Sequence, residues 1–263
     1  MSKRVVVTGA AGGIGAAAVR RLRARGAQVV GLDLSTDDDG IVKCDVSDQA
    51  SVEAAVGSAL EGLGGLDVLI NNAGLGDPQS AGEPPDERAR TVIDVNLLGP
   101  WRVASACLEP LRESGGRVVN VASGLAHLTV PFAPAYCMSK RGLIAYSDAL
   151  RLEHGDQLTV TTVYVGFVDT GIHARSEEEG VRLKGAVPEE SVEEAAETLV
   201  KAALGRPARE LATTRRGAVY YALASRAPGR VLDRIVTARV RQLNRRGHFE
   251  KADMARGYLA RVD

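Results

Sequence analysis

Short runs of β-branched apolar residues recur along the first 213 residues of the chain, separated by longer mixed segments. The first run, Val5 to Val7, contains no polar position, which is typical of a parallel strand buried on both faces. Similar runs follow at regular intervals. The predicted strands cover residues 5–7, 28–34, 41–46, 66–70, 116–122, 158–165 and 210–213.

The segments between these runs have the apolar spacing of amphipathic helices. The predicted helices cover residues 16–25, 51–63, 86–111, 136–154 and 188–204. Strands and helices therefore alternate, and parallel strands need helical crossovers to connect them. The pattern predicts an α/β fold, with a doubly wound parallel sheet of about seven strands and helices on both faces.

Two segments do not follow this alternation. Residues 171–190 are polar and irregular over most of their length, which suggests a lid over a substrate. Residues 215–263 form a basic tail whose apolar residues recur at roughly helical spacing, with a break at Pro228–Gly229. We expect a helical C-terminal extension that packs on the substrate side or on a neighbouring subunit, with its arginines in water. The alternative, arginines that face a membrane surface or an acidic partner, stays open.

Composition limits the classes of function. A chain of 263 residues with 45% apolar content can bury one large α/β core, so residues 1–263 are interpreted as a single domain. Lys and Arg balance Asp and Glu at 33 each, so no bulk positive field favours nucleic acid or an anionic membrane. No apolar run reaches the length of about 20 residues that a membrane helix needs, and we expect no membrane insertion.

The cysteines bear on the compartment. Cys44, Cys107 and Cys137 are scattered without the spacing of a metal site, so no metal is expected. Nothing at the N-terminus has the pattern of a signal peptide. Both observations favour a reducing cytoplasm.

Three glycines lie in the bend between the first predicted strand and the first predicted helix. Gly9, Gly13 and Gly15 allow a tight turn and the close approach of a pyrophosphate to the first N–H groups of the helix. Three spaced glycines are also compatible with an ordinary turn. The position between strand and helix favours a dinucleotide site.

A tyrosine and a lysine four residues apart open the predicted helix 136–154. Tyr136 and Lys140 share one helical face, and no other tyrosine of the chain has a lysine at this spacing. Ser123 stands thirteen residues earlier, at the end of a predicted strand, where reactive groups collect in open parallel sheets. This combination is unlike a chance pairing.

The stretch Thr8-Gly-x-x-x-Gly-x-Gly, the tetrapeptide Asn71-Asn72-Ala73-Gly74 and the Ser123, Tyr136 and Lys140 set together resemble the short-chain dehydrogenase/reductase family. The resemblance covers residues 3 to about 213 and implies a Rossmann-type fold. It implies that Tyr136 is the general acid/base and that Ser123 hydrogen-bonds the substrate oxygen. Lys140 would stabilise the phenolate, lowering the Tyr136 pKa, and bind the nicotinamide ribose. Asn96 would hold a water near the lysine.

The resemblance also implies a nicotinamide dinucleotide cofactor. The residues it assigns to cofactor binding are Gly9, Gly13, Ile14, Gly15, Asp33, Asp45, Val46, Asn72, Ala73, Gly74, Tyr136, Lys140, Val168 and Thr170. One departure from the family pattern is Val165, where proline normally precedes the glycine of the nicotinamide loop. We expect a less rigid loop there.

Asp33 indicates which dinucleotide binds. A carboxylate at the end of the second strand can accept hydrogen bonds from the ribose hydroxyls of NAD, and it repels the 2′-phosphate of NADP. Gly12, Leu34 and Ser35 offer no positive charge for that phosphate. NAD is therefore the expected cofactor, although a merely solvated Asp33 is the alternative.

The activity implied is hydride transfer between NAD and a secondary alcohol. The residues expected to surround the substrate are His127, Leu128, Phe132 and Ile172. With Val130 and Val168 they would form a mainly apolar pocket for a medium-sized hydrophobic molecule. An NADH-dependent ketone reductase and a non-catalytic NAD-binding regulator are the alternatives.

Assembly follows from the same resemblance. The predicted helices 86–111 and 136–154 resemble those with which the family builds two-fold interfaces. We expect a homodimer or homotetramer.

Overall fold

The computed structural model describes residues 2–36, 40–182, 184–185 and 188–262, and for His173 and Val262 the backbone only. The three consecutive aspartates of the polar loop expected after the second strand lie outside the described residues, as do Leu183, Ala186 and Val187 of the expected lid.

Seven parallel strands form the central sheet, in the order β3-β2-β1-β4-β5-β6-β9. They are β1 (Arg4–Thr8), β2 (Gln28–Asp33), β3 (Ile41–Lys43), β4 (Val68–Asn71), β5 (Arg117–Ser123), β6 (Thr159–Val165) and β9 (Glu210–Ala212). Two further short strands, β7 (Phe167–Val168) and β8 (Glu189–Glu190), pair with each other. The strand order reverses between β1 and β4, which places a crevice beyond the carboxyl ends of these strands. The predicted doubly wound sheet is confirmed.

Helices cover both faces of the sheet. They are α1 (Gly13–Ala24), α2 (Gln49–Leu63), α3 (Glu87–Ile93), α4 (Gly99–Ala106), α5 (Leu108–Glu113), α6 (Pro134–His154), α7 (Ala174–Glu178), α8 (Val192–Leu204), α9 (Arg215–Ala224), α10 (Gly229–Asn244) and α11 (Arg256–Val262). Val5 and Val7 belong to the core beneath α1 and α8, whereas Val6 belongs to the core beneath α2 and α4. The alternation along β1 therefore supplies both cores, which explains its lack of polar residues.

The helical stretch predicted over residues 86–111 is present, but it is not one uniform α-helix. The structure divides this stretch into α3, α4 and α5, with one π-helical turn, Asp94–Leu98, between the first two. Pro100 stands in the first turn of α4, where its missing N–H cannot extend the ladder of the preceding helix. The π-helical turn widens the helix at Asn96, whose side chain is fully buried.

The helix predicted from Pro188 begins later. Pro188 precedes β8, and α8 starts at Val192 after a capping box in which the Ser191 and Glu194 side chains each accept a backbone N–H of the other residue. A capping box defines a helix start more strongly than a proline four residues earlier.

The C-terminal extension is helical, as predicted. Helices α10 and α11 form a separate apolar cluster with Phe132 and Val181, in which the rings of Phe132 and Phe249 lie 5.8 Å apart. The extension is therefore packed against the segments that follow β5 and β6. None of the helices in the described part of the chain combines the length and the apolar character that a membrane span requires.

Candidate active site

The glycine turn connects β1 to α1 at the switch point of the sheet. Gly9 and Gly13 have φ angles of +65° and +51°, which side chains rarely adopt. A Cβ on Gly9 would lie 2.8 Å from the Cα of Ala73, and one on Gly15 would overlap the carbonyl of Gly9. Glycine is therefore required here both for conformation and for the close packing of the turn.

The N-terminus of α1 opens into a cavity of about 750 Å³. Gly12 provides no side-chain cap, so the first N–H groups of the helix are available to an anion. Of the residues expected to bind the cofactor, the structure places Gly9, Gly13, Ile14, Asp33, Asn72, Ala73, Gly74 and Thr170 on the wall. Uncapped donors, glycines against the wall and a volume of this size fit a dinucleotide.

Asp33 stands at the end of β2 on the wall of this cavity. Its Oδ2 atom accepts the N–H of Ala11 at 2.9 Å, and its Oδ1 atom accepts the N–H of Ser35 at 3.1 Å. These bonds fix the orientation of the carboxylate, and each oxygen keeps a lone pair for another donor.

Two residues assigned to the cofactor lie elsewhere. The Asp45 carboxylate accepts the N–H and the hydroxyl of Ser47, at 2.9 Å and 2.6 Å. Val46 is buried against Gly99 at the start of α4. Neither Asp45 nor Val46 lines the cavity. The local turn before α2 thus holds one oxygen of this carboxylate.

The loop after β4 is held by two asparagines. Asn72 donates from its side chain to the carbonyls of Thr8 and Gly9, each at 3.1 Å, so it fixes the glycine turn. The Asn96 amide accepts the N–H of Leu75 and donates to its carbonyl, both at 2.8 Å, and also donates to Ser139 at 3.2 Å. Asn96 therefore connects the widened helix, this loop and α6.

Ser123, Tyr136 and Lys140 meet at a small cavity of about 70 Å³. Ile14, Gly74, Thr170 and Ile172 line both this cavity and the dinucleotide-sized one. Val168 completes the wall on the side of β7. All the predicted catalytic side chains except Asn96 therefore face one enclosed point at the carboxyl edge of the sheet.

Hydrogen bonds to neighbouring backbone groups hold the Ser123 and Lys140 side chains at this cavity. The Ser123 oxygen accepts the N–H of Leu125 at 3.2 Å, so its own O–H remains able to donate elsewhere. The Lys140 Nζ atom donates to the carbonyl of Val121 at 2.9 Å and lies 5.8 Å from the centroid of the Tyr136 ring.

Burial controls the protonation of the pair. It raises the pKa of Tyr136 to about 12, against an opposing effect from a hydrogen bond with the Ser123 hydroxyl. Burial also lowers the pKa of Lys140 to about 8. Burial therefore opposes the lowering of the Tyr136 pKa that we expect from Lys140 and the positive charge of oxidised nicotinamide. The reason is that removal of the phenolate from water costs more than its polar neighbours return.

Glu190 secures the loop that begins with Val165 and Gly166. Its buried carboxylate accepts the N–H of Gly166 at 2.7 Å and the hydroxyl of Thr214 at 3.2 Å. Burial raises the pKa of Glu190, and these hydrogen bonds oppose the rise. The loop without the family's proline is therefore tied to β8 and to the N-terminus of α9.

The residues expected around the substrate divide among three places. Leu128 and Phe132 line an apolar cavity of about 740 Å³ between the segment after β5 and α10. Ile172 lies between the two cofactor-side cavities. His127 faces a different cavity, where its ring lies 4.7 Å from that of Tyr164 and burial lowers its pKa.

Sequence reasoning missed several residues that shape the site. The hydroxyl of Thr8 accepts the N–H groups of Asn72 and Ala73, each at 3.0 Å. Tyr221 of α9 packs so closely behind Ser123 that a Cβ on Gly124 would overlap its ring. These contacts join residues 64 to 97 positions apart, and no local spacing signals them.

Known proteins resemble the chain in sequence. The family model described as short chain dehydrogenase matches residues 3–180. A putative ketoacyl reductase of Streptomyces coelicolor is 35% identical over 192 residues, 66% of this chain and 73% of its own. A D-threitol dehydrogenase of Mycolicibacterium smegmatis is 32% identical over 204 residues, 71% of this chain and 78% of its own.

Solved structures agree with these relatives. An alcohol dehydrogenase of Thermococcus sibiricus, complexed with 5-hydroxy-NADP, superposes with a TM-score of 0.71 at 27% identity over 81% of this chain and 96% of its own. A short chain dehydrogenase of Burkholderia cenocepacia in complex with NADP gives 0.74 at 26% identity over 89% and 99%. The family match ends at residue 180, so the helical extension over residues 215–263 lies outside the matched region.

Proposed function

Because this chain belongs to the short-chain dehydrogenase family of oxidoreductases, we propose that it interconverts a secondary alcohol and a ketone with NAD as cofactor. The observation that carries the proposal is the convergence of Ser123, Tyr136 and Lys140 on one small cavity. That cavity shares five wall residues with the dinucleotide-sized cavity, namely Asn72 and the four named above. The reacting carbon would lie there.

The cofactor would be held by the glycine turn, Asp33 and the loop after β4. The N-terminus of α1 would receive the pyrophosphate, and Asp33 would accept hydrogen bonds from the adenosine ribose. Lys140 lines the smaller cavity, where the nicotinamide end would bind, and Thr170 lines both cavities beside Gly13. When bound, the nicotinamide supplies the acceptor or donor of a hydride.

The protein's own part in the reaction is to move a proton and to orient an oxygen. Tyr136 transfers a proton between its hydroxyl and the substrate oxygen. Ser123 donates a hydrogen bond to the same oxygen, since the bond that it accepts from Leu125 does not use its hydroxyl hydrogen. Lys140, held by Val121, places a positive charge near the phenol and favours the phenolate. Asn96 keeps Leu75 and Ser139 in position beside them.

The substrate we propose is medium-sized and largely hydrophobic. Leu128 and Phe132 line the apolar cavity on the side of the extension, and the neighbouring Val130 does so too. These residues share an apolar cluster, directly or through Phe249, with side chains of α10. A molecule with one carbinol or carbonyl group and an apolar body suits such walls.

NAD rather than NADP is the proposed cofactor because of the charge at Asp33. Its carboxylate lies on the cavity wall and is not paired with a cation in the described residues. The two solved structures named above contain NADP or a derivative of it. A negatively charged wall disfavours a 2′-phosphate in this chain.

One argument supports a second candidate that works mainly in the reductive direction, namely that burial raises the pKa of Tyr136. With a pKa of about 12, its hydroxyl is protonated at neutral pH and can donate to a carbonyl oxygen. Oxidation would need the phenolate, a minor form at that pH. An NADH-dependent ketone reductase is therefore the second candidate.

A matched panel of secondary alcohols and ketones tests the proposal, with NAD and NADP in each oxidation state and absorbance of the reduced nicotinamide as the readout. We expect turnover of hydrophobic members of the panel, and faster reduction than oxidation at pH 7. Tyr136→Phe serves as the control for contaminating dehydrogenases. Binding of NAD without turnover of any member would favour a non-catalytic regulator instead.

A further inference from the structure

The C-terminal extension is strongly basic, although the net charge of the whole chain is zero. Residues 215–263 contain 12 Arg and Lys against 4 Asp and Glu, a net charge of +8. Since the complete chain is neutral, residues 1–214 carry −8. The absence of a bulk positive field therefore does not apply to this end of the molecule, and such an asymmetry points to an anionic partner.

Helix α10 arranges this charge along one side. Arg230, Arg234, Arg241 and Arg245 recur at i, i+4, i+11 and i+15, which places them on one stripe. Val240 and Leu243 are buried on the opposite side of the helix. Among the described residues, neither Arg230 nor Arg234 nor Arg245 forms an ion pair. Their charge is therefore available to an outside partner.

An exposed apolar stripe runs beside the arginines. Val231 follows Arg230 and Ile235 follows Arg234, while Ala238 lies in the interval between Arg234 and Arg241. The side chains of Val231 and Ile235 are 44% and 49% exposed. Aliphatic side chains next to long cationic ones are the composition of helices that lie in a membrane interface, where the arginines reach the headgroups.

Helix α9 repeats this composition. Val219 and Leu223, four residues apart, are 62% and 67% exposed. Arg215, Arg216 and Arg226 are exposed at the two ends of the same helix. Tyr220 of α9 packs in one cluster with Leu232 and Val236 of α10, so the two helices are neighbours. The exposed aliphatic residues therefore belong to one end of the molecule.

We propose that α9 and α10 form a docking surface for an anionic lipid bilayer, with the arginines on the headgroups and the exposed aliphatic side chains in the interface. A second copy of this chain is disfavoured there, because two arginine stripes would face each other. Nucleic acid binding would use the arginines but would leave the four aliphatic side chains without a role. A bilayer uses both.

The surface also borders the apolar cavity described above. Ile235, Ala238 and Gln242 of α10 line that cavity as well as standing on the outer side of the helix. A protein docked through this surface would hold the mouth of its apolar cavity at the bilayer. The docking itself does not depend on the proposed oxidoreductase activity.

Vesicle flotation tests the proposal with the full chain. Vesicles of phosphatidylcholine alone are compared with vesicles that also contain phosphatidylglycerol, at low and high salt. We expect flotation with the anionic vesicles, weakened by salt. An arginine near an anionic surface contributes roughly fivefold in affinity, so Arg230→Gln with Arg234→Gln should reduce binding roughly 25-fold.

Matched variants separate surface-specific from general effects. Val231→Ser with Leu223→Ser should weaken flotation, whereas Leu152→Ser, an exposed leucine on α6, should not. Arg20→Gln with Arg90→Gln removes equal charge from α1 and α3 and should float like the parent protein. Circular dichroism checks the fold of each variant, and none of these positions lies in the proposed site. Failure of the parent protein to float with anionic vesicles, or equal loss in the control pair, overturns the proposal. So does binding to DNA that outcompetes the vesicles.

Discussion

At the level of single residues, the proposed reaction depends most on the proton that the Tyr136 hydroxyl would transfer. The hydroxyl stands with Ser123 and Lys140 at the wall of the same small cavity. Its position beside Ser123 and Lys140 supports proton transfer, and its pKa sets the fraction of the side chain that is protonated at a given pH.

Replacement of Tyr136 by Phe should reduce turnover by several orders of magnitude, on the order of 10³-fold or more, with little effect on the fold or on NAD binding. Only the proton-transferring oxygen is removed. Steady-state kinetics and NAD titration by fluorescence measure the two quantities. Ser123→Ala should behave similarly, and Lys140→Ala should also weaken NAD binding. Near-normal turnover of Tyr136→Phe would contradict the assignment.

The pH dependence should differ between the two directions. Reduction uses the protonated phenol, which persists up to its pKa of about 12, together with the Lys140 ammonium, whose pKa is about 8. The rate of ketone reduction should therefore be level below about pH 7 and fall above about pH 8. Oxidation uses the phenolate, so its rate should rise as pH increases. These profiles are obtained with saturating cofactor at constant ionic strength, and reduction that accelerates towards pH 9 would argue against Tyr136 as the proton donor.

Asp33 should produce a preference for NAD of at least about 100-fold in kcat/KM. Like charges in a partly desolvated site cost a few kcal/mol, and 1.4 kcal/mol corresponds to tenfold. Asp33→Ala should reduce the ratio mainly by weakening NAD, and a further Leu34→Arg should begin to favour NADP. Kinetics with both cofactors measure the ratio. Equal use of NAD and NADP by the parent protein would show that Asp33 does not face the ribose.

At the level of elements, β8 and the N-terminus of α9 hold the loop that begins with Val165 and Gly166. Glu190 of β8 accepts the N–H of Gly166 and the hydroxyl of Thr214. Thr214 in turn accepts the N–H of Gly217 and so caps α9. Through Glu190 the C-terminal extension is mechanically linked to the loop that follows β6.

Glu190→Ala should raise the KM for the cofactor by roughly 5-fold to 100-fold, because the half-buried Gly166 N–H loses its carboxylate acceptor, at a cost of about 1–3 kcal/mol, and the loop beside the cavity is no longer held. Glu190→Gln should restore most of the affinity, since its amide can accept from Gly166 and donate to Thr214. Glu189→Ala, at an exposed neighbour that pairs with Lys184, is the control. An effect of Glu189→Ala as large as that of Glu190→Ala would contradict the specific role of Glu190.

The local parts of this architecture could be predicted from sequence, and the long-range parts could not. The buried runs identified the strands, since a run such as Val5–Val7 can only be satisfied between two layers of helices. The break of helix 86–111 depends on how Pro100 and Asn96 fit their surroundings. The local bond between Asp45 and Ser47 could not be read from the resemblance that assigned Asp45 to the cofactor. Glu190 was missed because all of its partners come from other segments.

Over the whole molecule, the surface of α4 and α6 is the natural place for assembly. Trp101 is 55% exposed, and its ring stacks on that of Tyr146 with centroids 5.3 Å apart. Leu98 is also exposed beside it, and a groove of about 530 Å³ runs between the two helices. An exposed aromatic pair along an apolar groove is costly for a monomer and suits an isologous two-fold contact.

Trp101→Glu should convert a dimer or tetramer to smaller species at micromolar concentration. The substitution removes a large aromatic contact and places two like charges close to each other across a two-fold axis. Sedimentation velocity measures the change, and a loss of roughly 100-fold or more in association is expected for a central aromatic residue. Leu223→Glu, at an equally exposed position on α9, serves as the control and should leave the assembly intact. A parent protein that sediments only as a monomer at micromolar concentration would contradict assembly through this surface. Dissociation caused by Leu223→Glu but not by Trp101→Glu would place the interface on the C-terminal extension instead.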